Sequence, residues 1–231
     1  MAHYRNLFFD LDDTLWAFSQ NAYETFAELY MRFDYSRFFT SFEQFYRLYR
    51  KRNEELWGDY SAGRITKAEL NRHRFHYPLE SVGAPNPELA CRFCEGFYEL
   101  IPTKSKLMPH AREVLEALST RYNLYILSNG FKELQCHKMR SADIEHYFRK
   151  VILSDDIGVL KPSPQIFYFA LSATQSQLKE SLMIGDSWDN DITGAHGIGM
   201  DQVFFNLTGR TDLPFSPTYQ IKDLKELLTL L

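Results

Sequence analysis

The chain has 231 residues, 45% hydrophobic and 24% charged, enough to bury one or two domain cores. Its 26 basic and 30 acidic residues give a net charge of −4, which argues against the basic surface that binds nucleic acid polymers. No apolar run reaches the length of a membrane span, the start MAHYRN has no apolar core of a secretion signal, and the three cysteines are an odd count that suits a reducing compartment; no membrane partner and a cytoplasmic location are expected.

Asn6, Leu7, Phe8 and Phe9 read as a short buried strand, and the acids of Asp10-Leu11-Asp12-Asp13-Thr14 follow it directly. Positions two apart on an extended chain face the same way, so Asp10 and Asp12 can both point into one site. In an open α/β sheet the carboxyl end of a strand is where ligands bind. Paired carboxylates there suggest a nucleophile beside a proton donor, with a divalent metal. Taken alone, the segment could equally be an acidic turn opening a helix.

The stretch from Leu15 to Leu107 is too long for an ordinary crossover and reads as helical. Phe42, Phe45, Tyr46 and Tyr49 recur at helical spacing, as do Leu89, Phe93, Phe97 and Leu100. Two glycines mark residues 57–63 (WGDYSAG) as a break between helices. Residues 17–105 are therefore expected to form an inserted helical domain, hinged near residues 16–19 and 102–109. Its many aromatic residues read as core, and its basic ones (Arg47, Arg50, Lys51, Arg52) as a solvated face rather than substrate contacts. Cys91 and Cys94 form a C-x-x-C without a second ligand pair, and read as buried core cysteines rather than a zinc site.

After the insert the pattern returns to alternating helices and strands. Residues 109–121 are expected to be helical, and residues 122–127 (YNLYIL) a buried strand ending in Ser128-Asn129-Gly130. A hydroxyl and exposed N–H groups there suit a phosphate oxygen, although an ordinary turn has the same residues. Val151, Ile152 and Leu153 form another short strand. Lys161 precedes Pro162-Ser163-Pro164, which stiffens the backbone and caps a helix. A lysine fixed there can balance a carboxylate and a phosphoryl group. Leu182, Met183 and Ile184 form a strand ending in Gly185-Asp186, and Asp186 is placed like a metal ligand with Asp191 five residues on. Val203, Phe204 and Phe205 form a strand, and Ile221, Leu224, Leu227, Leu228 and Leu231 the face of a closing helix. Alternating strands and helices imply a parallel sheet covered on both faces.

Four segments, DLDDT (10–14), Ser128, Lys161 and GDSWDND (185–191), together resemble the haloacid dehalogenase-like superfamily, specifically its phosphatase branch. The resemblance implies an α/β fold: a Rossmann-like parallel sheet core from residues 1–16 and 106–231, with an inserted all-helical cap at 17–105. It implies Asp10 as the nucleophile that forms an aspartyl-phosphate, and Asp12 as general acid and then base. Mg2+ would be held by Asp10, the backbone carbonyl of Asp12 and Asp186. Ser128 and the N–H of Asn129 would bind a phosphoryl oxygen, Lys161 would neutralise nucleophile and phosphate, Asp191 would position Lys161, and Thr14 would support the nucleophile loop. A moving cap would exclude and admit water and supply the leaving-group pocket. True dehalogenases lack the second acid, because a halide needs no proton. The implied activity is Mg2+-dependent hydrolysis of a small phosphorylated metabolite. DLDDTL and WGDYSAGRITKAELNRHRF (57–75) are similar to the pyrimidine 5′-nucleotidase branch, so nucleoside 5′-monophosphates are the first expectation. The alternatives are a sugar-phosphate or phosphoglycolate phosphatase, or a phosphotransferase or mutase.

Overall fold

The computed structural model describes residues 4–231. Met1, Ala2 and His3, part of the segment read as having no secretion signal, lie outside the described residues. The chain divides into two compact units, Ser19–Thr103 and the pair Met1–Phe18 with Lys104–Leu231.

The discontinuous unit is built on six parallel strands: β1 (Asn6–Phe9), β2 (Asn123–Ser128), β3 (Lys150–Leu153), β4 (Ser181–Gly185), β5 (Asp201–Phe205) and β6 (Tyr219–Ile221). Their order is β3-β2-β1-β4-β5-β6. All four β1 residues are buried, as expected of a strand covered on both faces. Phe8 lies in register with Tyr125 and Met183, and these pack with Leu127, Ile152 and Phe167 in one cluster. Leu7 and Phe9 take the opposite face, in register with Leu124, Ile126, Leu182 and Ile184. The chain winds outward from β1 to β3, then returns to the other side of β1 for β4 to β6. That reversal makes the carboxyl ends of β1, β2 and β4 neighbours, the place where an open α/β sheet binds ligands.

The second unit is helical, with α1 (Phe18–Arg32), α2 (Phe42–Ser61), α3 (Lys67–Ser81) and α4 (Pro87–Leu100). Ser41 caps α2, Thr66 and Glu69 form a reciprocal capping box on α3, and Asn86 caps α4 with Pro87 in its first turn. An aromatic core centres on Phe26, whose ring lies 4.2 Å from Tyr49 and 4.9 Å from Phe97. The expected break over residues 57–63 is shorter: α2 runs through Trp57 and Gly58 to Ser61, and the chain turns at Gly63, φ 68°. One helical glycine costs only about 1 kcal/mol, which the buried Leu56 beside it offsets. The cysteine expectation is also corrected. The buried stripe of α4 is Ala90, Phe93, Gly96 and Phe97, which leaves Cys91 exposed and Cys94 half-buried. Burial pushes the Cys94 thiol up to about 11.

Where the chain leaves and re-enters the sheet unit, its two passages pair. Trp16 bridges Leu107 in antiparallel sense, Ala17 N–H donates to Lys106 at 3.1 Å, and Met108 N–H donates to Leu15 at 2.8 Å. This pairing holds Ala17, Phe18 and residues 104–106 with the sheet, where residue spacing alone put the boundaries at 17 and 105.

The sheet unit continues with α5 (Ala111–Ser119), α6 (Lys132–Ser141), α7 (Pro164–Thr174), α8 (Thr193–Gly197) and α9 (Leu227–Leu230). The expected closing helix is mostly something else: Ile221 ends β6, Leu224 begins a 3-10 turn capped by Asp223, and only Leu227–Leu230 is α-helical. Apolar spacing could not separate a short β-branched edge strand from the first turn of a helix. No described helix is long and apolar enough to cross a membrane.

Candidate active site

Asp10 prolongs β1 by one residue, its N–H donating to Ile184 of β4 at 2.9 Å. Its carboxylate meets Lys161, whose ammonium donates to Asp10 Oδ1 at 2.6 Å, Asp191 Oδ1 at 2.6 Å and the Leu127 carbonyl at 2.7 Å. Three acceptors use all three N–H bonds of the lysine. Asp191 is fully buried and its second oxygen accepts from Ser187 N–H at 3.1 Å. It is turned inward by a π-helical turn, Trp188–Ile192, capped by Ser187. Gly185 makes room for it, since a Cβ there would lie 2.2 Å from Asp191 Oδ2.

Asp186 ends the neighbouring strand. Thr14 donates to its Oδ1 at 2.8 Å and accepts its backbone N–H at 3.0 Å. Thr14, expected to support the nucleophile loop, ties that loop to Asp186. Carboxylate oxygens of Asp10, Asp186 and Asp191 lie within 4.8 Å of one another. Burial foremost, only partly offset by Lys161, and then Asp191 and Asp186 hold the Asp10 carboxyl well above the usual carboxylate range. Burial, then Asp191, pushes Asp186 up to about 7. Burial opposes the charge of Lys161, but Asp10 and Asp191 outweigh it and raise the ammonium above the usual lysine range. Three carboxylates thus share one ammonium, and the surplus negative charge on hard oxygen donors fits Mg2+. Asp191 accepts on both oxygens, from Lys161 and Ser187, while Asp10 and Asp186 each accept on Oδ1, which makes these two the better placed to hold it.

Ser128 ends β2 and is buried. The side chain of Asn129, expected only to offer its N–H, does something else. Its Oδ1 accepts from Lys161 N–H at 2.8 Å and its Nδ2 donates to the Lys161 carbonyl at 3.0 Å, clamping the lysine's backbone. Asp12 turns toward α6. Lys138 donates to its two oxygens at 2.8 and 3.1 Å, and Gln135 Nε2 donates to Oδ2 at 2.9 Å and to Ser128 Oγ at 2.8 Å. Asp13, next in the loop, takes a left-handed φ of 59°, which aspartate tolerates better than most residues. Gln135 and Lys138 were missed. Their signal was faint but present: on α6 they share a face with Leu134 and Met139, so two polar residues lie on an inward stripe.

The family described as haloacid dehalogenase-like hydrolase matches residues 4–199. The pyrimidine 5′-nucleotidase YjjG of Escherichia coli K12 is 31% identical over 228 residues, 97% of this chain and 96% of that one. The pyrimidine 5′-nucleotidase PynA of Streptococcus pneumoniae R6 is 28% identical over 97% of this chain and 94% of its own. The crystal structure of the HAD-hydrolase YfnB of Bacillus subtilis bound to magnesium superimposes with a TM-score of 0.89 at 25% identity, over 99% of both chains. Family match, near full-length relatives and sheet topology agree, and the chain belongs to the haloacid dehalogenase-like hydrolases.

Proposed function

We propose that this enzyme is a Mg2+-dependent phosphomonoester hydrolase that works through an aspartyl-phosphate on Asp10, with the sheet unit as its catalytic core and the helical unit, Ser19–Thr103, as the cap. The observation that carries the reading is the Asp10 carboxylate, fixed at 2.6 Å by a buried ammonium at the end of the central strand, with a second acid two residues on. Asp10 Oδ attacks phosphorus in line with the ester oxygen. Asp12 gives that oxygen a proton, and then takes one from the water that splits the aspartyl-phosphate. Ser128 and the Asn129 N–H receive phosphoryl oxygens. Lys161, held by Asn129 and Asp191, neutralises the site so that a carboxylate and a phosphate can approach. Mg2+, held by Asp10, Asp186 and the Asp12 carbonyl, would add charge neutralisation of the phosphoryl group.

Nucleoside 5′-monophosphates are the substrates we propose first, because two relatives matching nearly the whole chain are pyrimidine 5′-nucleotidases. Free Cys91, Cys94 and Cys136 suit a reducing cytoplasm. The test is phosphate release from a panel of nucleoside, sugar and phosphoglycolate monoesters, with Mg2+ and with EDTA. Release should need Mg2+, be greatest on UMP or dTMP, and fall by about 10³-fold or more in Asp10→Asn. An Asp10→Asn enzyme with undiminished turnover would refute the mechanism. A maximum on sugar phosphates would overturn the substrate alone.

A further inference from the structure

Lys138 is 2% exposed, on a helix that contributes none of the residues assigned above. Its ammonium sits 4.8 Å from the Trp16 ring centroid and 5.1 Å from that of Phe18, with both oxygens of Asp12 in reach. Burying an ammonium is costly, and an apolar side chain of the same length would fill such a place with less desolvation. Gln135 is fully buried as well, and its Oε1 has no hydrogen-bond partner among the described residues. A polar side chain that leaves one acceptor orphaned is there for its other contacts. Those contacts join Asp12 Oδ2 to Ser128 Oγ through a single nitrogen. A Cβ on Gly130 would lie 1.9 Å from that nitrogen, so the loop after β2 is shaped around it.

We propose that Lys138 is a positioning residue which, together with Gln135, aims the Asp12 carboxyl at the leaving-group oxygen and fixes its distance from the phosphate-binding Ser128. The inference rests on the hydrolase reading above. In the first step the Asp10 Oδ–P bond forms and the P–O ester bond breaks. The electron pair stays on the ester oxygen, which takes the proton of Asp12, and the carboxylate so formed is received by N–H donors already in place. In the second step water attacks phosphorus, its proton passes to Asp12, and the Asp10–P bond breaks to release phosphate. Lys138 keeps its own protons throughout. Without the clamp a partly exposed aspartate on a loop would spread over its rotamers, and proton transfer tolerates little misplacement.

Leaving groups separate this role from a structural one. An alkoxide must be protonated to depart, whereas p-nitrophenolate departs without help. The value of kcat/KM covers steps up to ester cleavage, so it isolates the acid step from later hydrolysis of the intermediate. Lys138→Met should lower kcat/KM about tenfold or more on the alkyl ester that the wild type hydrolyses best, and about threefold or less on p-nitrophenyl phosphate. Asp12→Asn should show the same selectivity more strongly, and Lys138→Arg should regain part of the loss. Equal losses of Lys138→Met on both esters, or none on either, beside a selective Asp12→Asn, would overturn the positioning role and leave the hydrolase reading standing. A wild type without phosphate release, or an Asp12→Asn enzyme without selectivity, would overturn the hydrolase reading itself. Should Lys138→Met not fold, Lys138→Gln and Lys138→Arg carry the same comparison.

Discussion

Two buried lysines serve the acids of one loop, and they are held differently. Lys161 meets two carboxylates and a carbonyl, each within 2.7 Å, and one of those carboxylates, Asp191, has no exposure at all. Lys138 meets a single carboxylate and two aromatic faces, and the Asp12 side chain it holds is 26% exposed. The first arrangement is closed: every donor is spent within the protein. The second is open on one side, as the proton-exchanging role proposed for Asp12 requires. Asp10 is locked by charge, and Asp12 is held while still within reach of solvent.

Breaking the closed arrangement should have the largest effect. Lys161→Met would leave Asp10 and Asp191 buried without a counter-ion, at a cost of about 3–5 kcal/mol in stability and about 10³-fold or more in kcat. Lys138→Met removes an equally buried cation, yet Asp12 can turn to water, so its stability cost should be about 1 kcal/mol. Denaturant midpoints and kcat of the two variants, measured side by side, check this. Equal stability costs would mean that Asp12 is as enclosed as Asp191, and that the contrast is wrong.

A subtler break uses two glycines. Gly185→Ala would drive a Cβ into the carboxyl, Cγ and Cβ of Asp191, a short side chain anchored on both oxygens. Gly130→Ala would meet the far end of Gln135, which can swing away at the expense of its bonds to Ser128 and Asp12. The expected costs are about 2–3 kcal/mol for the first and about 1 kcal/mol for the second. Thermal melts should rank them in that order. On alkyl esters, Gly130→Ala should lower kcat/KM more than on p-nitrophenyl phosphate, and Gly185→Ala should lower both alike.

The same contrast explains what could be read before the fold was known. Asp10, Ser128 and Asp186 stand where apolar runs stop, and parallel register turns three strand ends into one place, so local pattern and site coincide. Lys161 is flagged by two prolines that fix its loop. Gln135 and Lys138 had only the fainter sign of sharing a stripe with Leu134 and Met139, which looks like a solvated face until the helix is docked. Asn129 was given a role only through its N–H, and its side chain none, since nothing in sequence brings residue 129 to residue 161. Ile221 and Cys91 fall elsewhere than expected: Ile221 pairs in an edge strand instead of joining a helical stripe, and the buried stripe of α4 runs through Ala90 and Phe93, one position from each cysteine.

A pH-dependent effect concerns the charge that Lys161 leaves uncompensated. Asp186, pushed up to about 7 by burial and then by Asp191, favours its protonated form when folded. Its contribution to metal-free stability is therefore fully present below the ordinary carboxylate pKa, and is lost as pH rises toward 7. A proton and the proposed Mg2+ would compete for the same oxygens. Between pH 8 and pH 6 the protonated fraction of Asp186 goes from about a tenth to about nine tenths, which weakens apparent Mg2+ affinity about tenfold, or about 1.4 kcal/mol. With Mg2+ well above its dissociation constant, the rise in melting temperature over an EDTA control should be larger at pH 8 than at pH 6. Asp186→Asn should abolish most of the rise at both values, while Lys138→Met, which alters only the open arrangement, should leave its pH trend in place. A rise that is the same at both values in the unaltered protein would mean that Lys161 alone balances the three carboxylates, and that no proton is displaced when the metal binds.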